Sequence, residues 1–213
     1  MRTILTFGDS NTHGSRPTPP DGRSVGRYGP SKRWPTVMAA DLAGDWHLVE
    51  EGLPGRTTQY EDPGMPANMD GHAGLLMALK SHAPVDVLTI MLGTNDLKTR
   101  FAATPMTIAG GIAGMLDLAQ SPEMAEAHPA LRILLICPPP IREIGVFANQ
   151  FIGGEGTSLQ LRDMLATLAN ARDVAYLDAG SVIRVSDVDG IHFDPDAHRA
   201  LGRAVAAKVS TLV

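Results

Sequence analysis

Residues 85–93 read VDVLTIMLG and are apolar at nearly every position. A strand with one face in water alternates polar and apolar residues, whereas a strand covered on both faces carries a continuous apolar run. The segment therefore predicts a strand of a parallel sheet covered on both sides. TILTFG (3–8) reads as another buried strand, and WHLVEEG (46–52), LRILLIC (131–137) and VAYLDAG (174–180) as three more. Helical segments separate them over 33–44, with Gly44 as stop signal, and over 68–82, 104–120, 155–171 and 194–212. Thr104 and Asp194 stand as N-caps, each followed by a proline at the first helical position. Strands alternating with helices call for right-handed βαβ crossovers and an α/β fold, a five-stranded parallel sheet with helices on both faces. No repeat, low-complexity stretch or linker interrupts the pattern, so residues 1–213 are expected to form one domain.

The bulk composition agrees. Of 213 residues, 44% are hydrophobic and 19% charged, enough apolar material for a sizeable core. The net charge of −5 shows no basic excess of the kind that draws nucleic acid or an anionic membrane. The single cysteine, Cys137, has no partner for an intramolecular disulfide and fits a reducing compartment; it reads as a small buried residue. The opening MRTILTFGDS lacks the shape of a signal peptide, and no stretch approaches the ~20 apolar residues of a membrane span. These features predict a cytoplasmic protein with no membrane or nucleic-acid partner.

Three connections are unusually long, 11–32, 52–67 and 138–154, and all follow strands. Loops after the strands of an open parallel sheet lie at its carboxyl edge, where ligands bind. The strand ends there carry LTFGDSNTHG (5–14), EEGLPGRTT (50–58), LGTNDLK (92–98) and DVDGIHFD (187–194). Acyl transfer needs a nucleophile with a base, a group that orients the base, and donors where an oxyanion forms. Ser10 is the candidate nucleophile and His192 the base. Asp189 lies three residues before it across Gly190, so a tight turn brings its carboxylate to the imidazole. The Asn95 amide, the Gly55 N–H and the Ser10 N–H are the candidate oxyanion donors.

GDS at Ser10, PGRTT at Gly55, GTND at Asn95 and DGIH at His192 resemble, in order and spacing, the four signature blocks of the SGNH, or GDSL-type, serine hydrolases. EEGLPGRTT, IMLGTND and DAGSVI…DGIHF are most similar to the arylesterase branch, whose members also catalyse acyl transfer and perhydrolysis. The resemblance spans the chain and implies a flavodoxin-like three-layer α/β/α sandwich. It implies Ser10, Asp189 and His192 as a triad, Ser10, Gly55 and Asn95 as the oxyanion hole, short-chain esters as substrates and no cofactor. The stretch DVDGIHFDPDAH (187–198) is rich in potential ligands but matches neither a calcium-loop nor a zinc spacing, so no metal is expected. A homo-oligomer is also expected, since members of that branch assemble into oligomers. The chain departs from many relatives at Asn11 and His13, where they carry a leucine and an aromatic residue that help wall the acyl pocket. Asn11, His13, Ile152 and Ile191 are accordingly the expected substrate contacts.

Each residue also has a structural reading. GDS, Asn95-Asp96 and Asp189-Gly190 are all good turn sequences. Asp9 caps or braces the turn before Ser10. His13 competes with His192 as base, but no carboxylate follows it closely in sequence. His47, His72, His82, His128 and His198 read as surface or helix residues. The basic loop 11–33, with Arg16, Arg23, Arg27, Lys32 and Arg33 against Asp21 alone, reads as a solvated loop or subunit contact, or else as a site for an anionic substrate. The rival functions are a carbohydrate deacetylase or thioesterase on the same triad, and a flavodoxin-like module that binds an anion or nucleotide.

Overall fold

The computed structural model describes residues 1–213. Its strands are β1 (Arg2–Gly8), β2 (Trp46–Gly52), β3 (Val87–Met91), β4 (Arg132–Cys137) and β5 (Ala175–Asp178). They form one parallel sheet in the order β2-β1-β3-β4-β5. This is the flavodoxin-like order, whose topological switch point lies between β1 and β3.

The three layers follow from the strand period of two, which sends successive side chains to opposite faces. Ile4, Val87 and Leu134 point one way and join a core cluster with Trp34, Met38, Leu201 and Val205. Those last four come from α2 (Trp34–Asp41) and α8 (Pro195–Val209), which cover that face. Leu5, Leu88 and Leu135 point the other way and meet Leu75, Ile108, Ile112 and Leu165. These come from α3 (Gly71–Ser81), α4 (Pro105–Ala119) and α7 (Leu161–Ala171). All five residues of β3 are buried, which is why its sequence shows no alternation.

Several boundaries differ from the sequence expectation. The helix expected over 68–82 starts at Gly71, because the Asp70 side chain accepts from the His72 N–H and stops the helix there. The first expected helix ends at Asp41, and Gly44 (φ +96) turns the chain into β2 instead of closing the helix. The helix expected over 155–171 is broken into α6 (Gly154–Ser158) and α7. Tertiary ties hold α6 apart: Ser158 Oγ accepts from the Ile141 N–H at 3.2 Å, and the Glu143 and Glu155 carboxylates each accept from the other's backbone N–H. Asp194 precedes α8 but makes no side-chain cap; its carboxylate accepts from Ser186 Oγ at 3.1 Å. Thr104 does cap α4, in a reciprocal pair with Thr107. Two short helices were not foreseen, α1 (Ser10–His13) and α5 (Pro122–Ala127). His128 and His198 are buried, contrary to a surface reading for His128; their Nδ1 atoms accept from the Val85 and Trp34 N–H groups. No helix is long and apolar enough to cross a membrane.

Candidate active site

β1 ends at Gly8, and the chain turns at Asp9 into the single turn α1, with Ser10 as its first residue. Asp9 caps this turn by accepting from the Asn11 N–H at 2.8 Å. α1 lies directly on the end of β2: a Cβ on Gly52 would collide with the backbone of Thr12 and His13. Only glycine at that position lets the Ser10 turn sit so close to the sheet.

On the far side of the switch point, residues 189–192 form the tight turn expected from their sequence. Asp189 Oδ1 accepts from the N–H groups of Ile191 (3.0 Å) and His192 (2.9 Å), and Gly190 takes φ +72 between them. The same carboxylate's Oδ2 accepts from His192 Nδ1 at 2.7 Å and from the Thr18 N–H at 2.7 Å. With Nδ1 donating, His192 Nε2 is left as acceptor, and the Ser10 hydroxyl lies 3.1 Å from it. Asp189 is fully buried, and Ser10 and His192 nearly so. Burial pushes the Asp189 carboxyl up, but the His192 hydrogen bond and charge, with the His192 and Thr18 N–H groups, outweigh it and hold the carboxyl below its ordinary range.

The other two expected blocks arrive at the same place. Gly55 takes φ +93, and neither its N–H nor that of Ser10 donates to another protein group. Asn95 Nδ2 donates to Arg56 O at 3.1 Å and approaches Asp9 Oδ2 at 3.5 Å, which ties the second and third blocks to the first. Asp9 and Asp96 are buried beneath this set, and burial pushes both carboxyls up to about 6. Arg56 is buried beside them over the Phe7 ring, donating to Gly8 O, and burial lowers its guanidinium to about 10.

Above Ser10 opens a cavity of about 820 Å³. The three long connections build it, as their position at the carboxyl edge predicts. The 11–32 connection supplies one wall, Gly55 and Met65 another, and Val146, Phe147 and Phe151 an apolar third. The Phe147 ring stands edge-on to His192, with centroids 5.9 Å apart. A second cavity of about 600 Å³ lies at the amino edge of the sheet, beside Leu131, Arg132 and Val174, away from this constellation.

Of the four expected substrate contacts, His13 and Ile191 line the cavity and two do not. Asn11 is buried behind the wall, where its Nδ2 donates to Ile191 O at 3.1 Å and ties the Ser10 turn to the His192 turn. Ile152 is 62% exposed and turned to solvent, and its predecessor Phe151 takes the cavity position. Ile141 belongs to the core. The side-chain hydrogen-bond partner of Ser10 Oγ is His192, not His13; burial and the neighbouring Arg27 lower the His13 pKa. No three His, Cys, Asp or Glu side chains are grouped to hold a metal ion. Cys137 is buried at the end of β4, and burial pushes its thiol up to about 12.

Three features escaped the sequence reading. The Thr18 N–H on Asp189 is one; the motif Pro17-Thr18-Pro19-Pro20 held the signal, since threonine carries the only N–H in that run. Glu50 is the second: at the end of β2 it accepts from both Arg27 and Arg33, so the basic loop has an acid partner far away in sequence. The third is the buried pair of Lys98 with Asp62 (2.7 Å), joined by Arg100 (2.8 Å).

A family model described as GDSL-like lipase/acylhydrolase matches residues 6–200, from β1 to within α8. The chain belongs to that family. This GDSL-family chain is a carboxylic ester hydrolase. It is 38% identical to an aryl esterase from M. smegmatis, with all of both chains covered and a TM-score of 0.94. It is 37% identical to a carbohydrate acetylesterase from Sinorhizobium meliloti, again over all of both chains and with a TM-score of 0.94. A putative arylesterase from Agrobacterium tumefaciens matches at 35% identity over all of both chains, with a TM-score of 0.89. A comparison with curated proteins finds no match.

Proposed function

We propose that this GDSL-family hydrolase cleaves short-chain aryl or alkyl esters through an acyl-enzyme on Ser10. His192 Nε2 takes the hydroxyl proton as Ser10 Oγ attacks the ester carbonyl. Asp189 holds the imidazole in the required tautomer and stabilises the imidazolium. The N–H groups of Ser10 and Gly55 and the Asn95 amide receive the oxyanion. Collapse of the tetrahedral adduct expels the alcohol, protonated by His192. Water, activated by the same imidazole, then releases the acid and restores the Ser10 hydroxyl. The observation that carries this reading is the unbroken chain Asp189–His192–Ser10, with links of 2.7 and 3.1 Å, at the floor of a substrate-sized cavity.

The apolar wall of Val146, Phe147 and Phe151 supports a further element of the reading, acyl transfer to an alcohol or peroxide in competition with water. An alcoholysis-to-hydrolysis ratio no higher than that of a generic esterase counts against that element. Carbohydrate deacetylation is the second reading, favoured by likeness to the S. meliloti acetylesterase. Rates on phenyl acetate and on acetylated xylose separate the two.

The test of the Ser10 assignment needs no substrate. A fluorophosphonate probe is expected to label Ser10 stoichiometrically, located by peptide mass spectrometry, and to label His192→Ala and Asp189→Asn far more slowly. Folded protein that stays unlabelled, or carries the label elsewhere, overturns it.

A further inference from the structure

The cavity over Ser10 differs in charge from the molecule that carries it. The chain has a net charge of −5, yet no Asp or Glu lines the cavity, while Arg16, Arg27 and Lys98 do. Their neutralisation is incomplete. Arg27 shares the single carboxylate of Glu50 with Arg33, and Lys98 shares that of Asp62 with Arg100. Within its own ion pairs each cluster therefore keeps one positive charge in excess. Arg16 makes no ion pair: its guanidinium lies 5.7 Å from the Tyr28 ring centroid and donates to Val25 O at 3.3 Å. The Asp189 carboxylate is sealed from the cavity, already accepting from Thr18, Ile191 and His192. Charges of one sign in a cleft with low-dielectric walls focus their field into it.

The walls also divide the labour. The cationic side chains Arg16 and Arg27 come from the connection after β1, whereas Phe147, Phe151 and Ile191 make an apolar wall from other connections. The volume of about 820 Å³ lies high in the range for small-molecule sites, with room beyond a short acyl group.

We infer that the preferred esters carry an anionic group, with carboxylate or phosphate oxygens, on the leaving-alcohol side, held at the cavity mouth by Arg16 and the positive field behind it. This rests on the esterase reading above. The acyl carbonyl sits at Ser10, the apolar body of the substrate lies against the phenylalanines, and the charged end faces the loop after β1. The basic loop is then part of the substrate site.

The test compares meta-acetoxybenzoate with its neutral methyl ester, each rate divided by that ester's own hydroxide-catalysed rate. At low ionic strength kcat/KM is expected to favour the anion by about tenfold, mostly through KM, and the preference to shrink in high salt. Arg16→Gln is expected to lower the preference several-fold, chiefly by raising KM for the anion, and Arg16→Lys to keep most of it. Turnover of both esters through Ser10 with no preference for the anion, or a preference that Arg16→Gln leaves intact, overturns the inference and spares the esterase reading. No turnover of either ester, together with no fluorophosphonate adduct on Ser10, overturns both.

Discussion

The backbone N–H of Thr18 donates to Asp189 Oδ2 over 2.7 Å, joining residues 171 positions apart in the chain. Pro17, Pro19 and Pro20 have no N–H to offer and restrict the backbone around it, so the segment presents one donor in a stiffened frame. A hydrogen bond to a charged group is worth about 1.5–3 kcal/mol. Thr18→Ala keeps the donor and is expected to behave like the parent; Thr18→Pro removes it and is expected to destabilise by about that amount. Asp189 is held below the ordinary carboxylate range, so its contribution to stability is present above the unfolded-state pKa and lost as pH falls through the lower folded value. The stability gap between parent and Thr18→Pro should therefore be full at neutral pH and close in acid, as read by denaturant unfolding at several pH values. A gap independent of pH would assign the effect to backbone strain.

The link from Asp189 to His192 should matter far more for turnover than for folding. Asp189→Asn is expected to lower kcat by about 10⁴ with the fold retained, because the amide cannot hold the imidazole in the tautomer that accepts from Ser10. Steady-state kinetics on phenyl acetate beside circular dichroism checks this.

Asn95→Ala tests the oxyanion assignment. Loss of one donor of that kind costs about 10²–10³ in kcat with KM little changed. A change confined to KM would place Asn95 in ground-state binding instead.

Asp9 is buried with its carboxyl raised to about 6 from an ordinary 3.8, burial being the main cause. Between these values the folded state binds more protons than the unfolded one, so stability falls as pH rises from about 4 to about 6. Asn is an equivalent N-cap but carries no charge to bury. Asp9→Asn is thus expected to be more stable than the parent above pH 6, by up to about 3 kcal/mol, and to lose that advantage near pH 4. Urea unfolding at both ends of this range reads the sign directly.

Asp62 has the opposite sign. Burial pushes its carboxyl up, but Lys98, the Gly64 N–H and Arg100 outweigh this and hold it below the ordinary range. Its stabilisation is therefore present at neutral pH and lost as pH falls through that lowered value. Asp62→Asn leaves the Lys98 ammonium buried without a counter-charge and is expected to cost about 3–5 kcal/mol at pH 7, measured by urea unfolding.

These residues separate what local chemistry dictates from what the fold supplies. The central strand was legible in VDVLTIMLG because burial on both faces leaves a continuous apolar run, and the Thr104 cap because capping is decided within four residues. The Asp189–His192 turn is equally local, closed by a carboxylate on the next backbone N–H groups. Contacts across the chain carry no such signature. The Ser10–His192 bond spans 182 positions, and it could be anticipated only because both residues end up at one edge of a parallel sheet. Whether a side chain faces the cavity or the protein behind it was not legible: Asn11 turns inward to Ile191 and Ile152 outward to solvent, and packing of the loops decides both. The break between α6 and α7, the burial of His128 and the sharing of Glu50 by Arg27 and Arg33 arise likewise from distant partners. Periodicity and capping are set by neighbours along the chain, whereas side-chain direction and ion pairing are settled by whichever segments the sheet brings alongside.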